Sequence, residues 1–227
     1  MFLRNLLMII LAIGSINMIF AAEKGQDYLS KEREVKQTRI LISGGGIAGF
    51  TLAYWLKRRG YEPTIIEKHA TLREGGYKVD VRGVALEVVK RMGIHSDLIG
   101  VNVNLNRSKI VLPSLKVFEF DGDVLGHCLE GDIEVNRWDL VQILSKAAQD
   151  MEIIYGDSIT KIDGTFVHFE KGETREYDLV IGADGIHSNV RKLAFGDSEQ
   201  FLHQCGIEFC VFPVENFLGA CLENRLF

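Results

Sequence analysis

The sequence predicts an α/β fold, a parallel sheet with a smaller antiparallel sheet inserted into it, and three observations carry that reading. Near the start, the apolar residues 40–42 run into Gly44-x-Gly46-x-x-Gly49 and then into an amphipathic stretch, the pattern of strand, tight turn and helix. Residues 63–67 follow as a second strand, and strand–helix–strand alternation makes parallel neighbours. Much later, residues 179–181 form another apolar strand that ends in Asp184-Gly185 and returns the chain to the first sheet.

The glycines have separate physical roles. Gly44 makes the tight turn, Gly46 lets a phosphate approach the backbone, and Gly49 lets the helix pack closely. The helix is expected over residues 47–59, with Ala48, Leu52, Trp55 and Leu56 at helical spacing and Gly60 as its stop. Glu67 falls 18 positions after Gly49, where a carboxylate accepts from ribose hydroxyls and disfavours a 2′-phosphate. A strand entering a glycine turn before a helix offers unpaired N–H groups to a pyrophosphate. With Ser188 capping a short helix that carries Arg191 behind Asp184-Gly185, the two motifs point to FAD.

Between the motifs, residues 73–80 read as a polar, glycine-containing loop suited to ligand contacts, and residues 84–92 as a helix. Residues 108–112 and 116–120 are short strands of a second sheet, with Asp121-Gly122-Asp123 as a turn. Residues 134–140 open a helix with Asn136 as cap, Asp139 three positions on, and Leu140, Val141, Leu144 and Ala148 inward. Arg137 sits in its first turn, where a cation opposes the helix dipole, so it is a candidate for more than a solvated role. Residues 151–155, 159–162 and 166–169 supply further strands. There is no internal repeat.

The 227 residues carry 26 Lys and Arg against 31 Asp and Glu, a net charge of −5, which gives no electrostatic reason to expect nucleic acid. Cys128, Cys205, Cys210 and Cys221 include no C-x-x-C pair, so they read as free thiols and no metal site is expected. Residues 1–22 resemble a secretory signal, with Arg4, an apolar run and Ala21-Ala22, although Phe20 is large for a cleavage site. Three readings stand: export, an uncleaved anchor touching a membrane through this segment alone, or a start at Met18 leaving a cytoplasmic protein. Residues 23–38 are a polar linker and residues 39–227 the folded part.

Gly44-x-Gly46-x-x-Gly49 with Glu67, then Glu134-x-x-Arg137-x-x-Leu140, then Asp184-Gly185-x-x-Ser188-x-x-Arg191, resemble in residue and order the FAD-dependent aromatic hydroxylases, the single-component flavoprotein monooxygenases. The loop of residues 75–83 and residues 134–140 look most like the tetracycline-inactivating members. The resemblance implies a Rossmann-like FAD-binding domain with an inserted, incomplete substrate sheet, NAD(P)H as reductant, and an aromatic small-molecule substrate. It implies that Glu67 holds the adenosine ribose, Arg137 reaches the flavin phosphate or ribityl region, Asp80 lies close to the flavin, Arg73 contacts the nicotinamide cofactor, and Asp184-Gly185 bridges both cofactors. Family members continue into a full substrate sheet and a second flavin motif, so the chain is expected to be C-terminally truncated. His187 has no visible partner, and no catalytic residue is named. Two alternatives stay open: a non-catalytic remnant of such an enzyme, and a nicotinamide-only Rossmann dehydrogenase.

Overall fold

The computed structural model describes residues 38–103, 107–112, 114, 116–121, 131–203, 205–206 and 224–226. The apolar leader, most of the linker, the turn beyond Asp121, and Cys128, Cys210 and Cys221 lie outside the described residues. The chain divides into two compact units, Met1–Thr71 with Asp150–Leu202, and Leu72–Gln149 with His203–Phe227. Among the described residues no helix is long and apolar enough to cross a membrane.

In the first unit, β1 (Arg39–Ser43) leads to α1 (Ile47–Lys57) and β2 (Glu62–Glu67). Later in the chain come β7 (Glu152–Tyr155), β8 (Ile159–Asp163), β9 (Phe166–Phe169), β10 (Arg175–Glu176), β11 (Leu179–Gly182) and α5 (Asn189–Phe195). The order β11-β1-β2-β7 is parallel throughout; β1, β2 and β11 were expected in it and β7 adds a fourth strand, while β8, β9 and β10 form a separate antiparallel sheet. β1 is apolar on both faces because it is covered on both. Leu41 joins Ile66 and Val180 against Ile159, Val167 and Phe169 of the antiparallel sheet. Ile42, one residue on, points to the opposite face, beside Gly49 of α1.

The helix corrects one expectation. Its buried residues are Gly49, Phe50 and Ala53, whereas Leu52, Trp55 and Leu56 are half-buried and Ala48 is exposed. The stretch is apolar nearly all round, so spacing left its inner face ambiguous, and the glycine turn decides it. The helix also ends earlier than residue 59. Gly60 and Tyr61 donate to the carbonyls of Lys57 and Leu56, closing its last turn at the expected glycine.

The second unit contains β3 (Lys78–Val81), α2 (Val84–Met92), α3 (His95–Gly100), β4 (Arg107–Val111), β5 (Val117–Asp121), β6 (Ile133–Asn136), α4 (Arg137–Ala147) and β12 (Asn224–Leu226). β4 pairs antiparallel with β5, as expected of the second sheet, and β12, a strand the sequence reading did not include, pairs parallel to β4. Two stretches differ in kind from the sequence reading. The end of the polar 73–80 loop is a strand, because β3 pairs antiparallel with β6 and Val81, Ile133 and Val135 become buried. Residues 134–136, read as the opening of a helix, instead end β6, and Asn136, at the N-cap position of α4, makes no side-chain cap hydrogen bond but donates to Asp139 Oδ2 at 3.1 Å.

Candidate functional site

β1 and β11 are neighbours, and β2 flanks β1 on the other side, so three strand ends place the glycine loop between the Asp184 turn and Glu67. Chain order reverses direction between β1 and β11, the position where open α/β sheets take ligands. Each glycine is needed for a different reason. Gly44 has φ +113°, and a Cβ there would lie 2.5 Å from the Ala183 carbonyl oxygen and 2.9 Å from Asp184 Cα. The first motif is therefore seated on the backbone of the second. A Cβ on Gly49 would collide with the Gly44 carbonyl oxygen, so α1 packs on the turn as well as on the sheet. A Cβ on Gly46 would meet nothing within 4 Å, leaving the space over the loop open.

Hydrogen bonding completes that cradle. Gly44 N–H donates to the Ile66 carbonyl at 2.7 Å and Gly45 N–H to Glu67 Oε2 at 2.8 Å. The N–H groups of Gly46, Ile47, Ala48 and Gly49 find no acceptor among the described residues, and α1 has no side-chain cap. These are the orphan donors of a helix start, with the positive end of the dipole behind them. Glu67 Oε1 also accepts from His69 N–H at 2.9 Å. The carboxylate is thereby clamped beside the loop, and each oxygen retains a lone pair for a further donor.

Asp184 is the busiest group of the second motif. Its Oδ1 accepts from Ser188 Oγ–H at 2.5 Å, and Oδ2 from the N–H groups of Asn189 (2.8 Å) and Val190 (3.1 Å). Ser43 Oγ–H, at the end of β1, reaches Oδ2 at 3.4 Å. Ser188 caps α5 as expected, its Oγ accepting from Arg191 N–H at 3.0 Å. The carboxylate thus holds the start of α5, while exposed Gly185 (φ +80°) extends the turn. Ser43 was not singled out in the sequence, since a serine at a strand end carries no signal until its partner is known. His187 is exposed.

Arg73, Asp80 and Arg137 belong to the second unit. Arg73 is exposed in the irregular stretch before β3. Asp80 is half-buried on β3, in register with Glu134, and Arg82 Nη1 lies 4.0 Å from its Oδ2. Glu134 is buried and paired with Lys78, which offsets two carboxylates facing each other across strands. Arg137 opens α4, half-buried; its N–H donates to the Tyr77 carbonyl at 3.0 Å, and its guanidinium has no acceptor among the described residues. No group of side chains suited to a metal ion occurs among the described residues.

Comparison with known proteins gives this arrangement a context. Residues 42–88 match the family model for an NAD(P)-binding Rossmann-like domain. The chain is 38% identical over 189 residues to a flavin-dependent monooxygenase of Legionella longbeachae serogroup 1 (strain NSW150), covering 81% of this chain and 49% of that protein. It is 31% identical over 172 residues to an FAD-dependent monooxygenase of Sarocladium schorii, covering 70% of this chain and 40% of that one. Among solved structures, tetracycline destructase Tet(51) superposes with a TM-score of 0.63 at 37% identity, over 70% of this chain and 42% of that chain. The chain spans about half the length of the relatives it matches.

Proposed function

This chain is a homologue of the flavin-dependent monooxygenases over about half their length, and from that premise we propose that it holds FAD for an NAD(P)H-dependent hydroxylation of an aromatic or polycyclic phenolic small molecule. The observation that carries the proposal is the open glycine loop, where four consecutive N–H groups have no acceptor among the described residues and a Cβ built on Gly46 meets nothing within 4 Å. That cradle fits a pyrophosphate in charge and in shape. Glu67 beside it fits the adenosine ribose, whose hydroxyls would donate to the carboxylate's remaining lone pairs.

Within this reading Gly44 and Gly49 keep the loop flat against the Asp184 turn, and Gly46 admits the phosphates. Asp184 and Gly185 border the loop, and Asp184 contributes through the turn it holds, because its oxygens are already engaged by Ser43, Ser188, Asn189 and Val190. The family resemblance extends the proposal to Arg137 for the flavin's phosphate or ribityl oxygens, Asp80 close to the flavin, and Arg73 for the nicotinamide cofactor. FAD would supply the redox chemistry, taking up hydride from the nicotinamide cofactor and activating dioxygen. The substrate class rests on the neighbour Tet(51), a tetracycline destructase by name.

The test is an absorbance spectrum and FAD titration of the purified chain. A flavin spectrum, and saturable binding that Gly46→Val weakens at least tenfold, is expected. Failure of the chain to bind FAD while it binds a nicotinamide cofactor would overturn the reading.

A further inference from the structure

The loop that precedes β3 and the first residue of α4 are packed together in a way that neither motif reveals alone. Gly76 has φ +118°, and a Cβ built on it would lie 3.2 Å from both Cβ and Cδ of Arg137. The next residue, Tyr77, accepts the Arg137 N–H through its carbonyl at 3.0 Å, and Lys78 then pairs with Asn136 in the β3–β6 ladder. The Arg137 backbone is thus tied to the loop while its side-chain stem lies along the glycine. Arg137 is half-buried as a residue, and its guanidinium, without an acceptor among the described residues, is left for an anion.

We infer that Gly76 is a positioning residue for Arg137: the missing side chain at position 76 lets the arginine stem lie in the one direction that presents its guanidinium to the bound cofactor's oxygens. The inference rests on the proposed Arg137 contact with FAD and adds the device that aims it. Gly76→Ala would push the stem aside without removing the charge, whereas Arg137→Ala removes the charge and most of the stem together.

The experiment is a double-mutant cycle on the full chain, read as FAD dissociation constants from flavin fluorescence, with the melting temperature of each apo variant in parallel. Arg137→Ala should weaken FAD about tenfold or more, the value of a charge-assisted contact. Gly76→Ala should weaken it by a comparable factor. The double variant should bind no worse than Arg137→Ala alone, because Gly76 then has no arginine to aim. Strain at the positive φ lowers the melting temperature of Gly76→Ala in both backgrounds, so stability loss does not count toward the coupling. Additive losses of affinity, or full affinity in Gly76→Ala, would overturn the inference while leaving the Arg137 contact standing. An Arg137→Ala variant that binds FAD like the parent would remove the contact itself, and this inference with it.

Discussion

Gly46 and Gly49 differ in what a side chain would meet, and that difference separates binding from folding. Gly49→Ala drives a Cβ into the Gly44 carbonyl, and overpacking against backbone is expected to cost about 1–3 kcal/mol, read as a lowered denaturant midpoint. A Cβ at Gly46 meets nothing within 4 Å, so Gly46→Val adds its bulk on the open side of the loop. It should lose no more than about 1 kcal/mol as a poorer helix cap, yet weaken FAD at least tenfold by occupying the phosphate space. Asp184→Ala is a folding variant in this account. It strips α5 of two backbone acceptor contacts and Ser188 of its acceptor, so a loss of about 1–3 kcal/mol is expected, with Asp184→Asn recovering part of it in the same denaturation measurement. The glycine roles were legible because spacing alone sets a tight turn. The engagement of Asp184 was not, since Ser43, one of its donors, lies 141 positions away in sequence.

At the level of elements, strands were easier to read than faces. Runs such as 166–169 and 179–181 announce themselves by apolar, β-branched and aromatic composition, whereas the inner face of α1 depends on a turn that no periodicity encodes. β3 was hidden because its polar residues Lys78 and Asp80 alternate with buried or half-buried valines, and only pairing with β6 makes that alternation a strand. Asp157, ahead of β8, also escaped notice. Burial pushes its carboxyl upward, but N–H donors from Ser158, Lys171, Gly172 and Glu170 outweigh this and hold it below the ordinary carboxylate value. A depressed folded value means stability that is present above about pH 3.9 and lost as pH falls through the folded value. Asp157→Asn should therefore melt lower than the parent at pH 7, and the gap should narrow below about pH 4 in melting curves taken across pH. A gap that stays constant with pH would show that the clamp does not depend on ionisation.

Over the whole molecule, the first unit holds the fingerprint loop, Glu67 and the Asp184 turn, and the second holds Arg73, Asp80 and Arg137. The first group was readable from the sequence as one site, because adjacent parallel strands bring their ends together by topology. The residues of the second group have no such rule behind them: loop composition and the helix dipole made Arg73, Asp80 and Arg137 candidates, and only the family resemblance gave them roles. This division gives a ligand-level expectation: ADP, which carries the pyrophosphate and adenosine ribose, should displace FAD, while FMN, which lacks both the second phosphate and the adenosine, should compete poorly in the same fluorescence titration. In the proposed function, the loop from Gly44 to Gly49, with Glu67, receives the adenosine diphosphate half of FAD. This is tested most directly by titrating parent and Gly46→Val with FAD by flavin fluorescence, with melting curves confirming that both are folded. The parent should bind saturably and the folded variant at least tenfold more weakly; equal affinity in the two would contradict that placement of the cofactor.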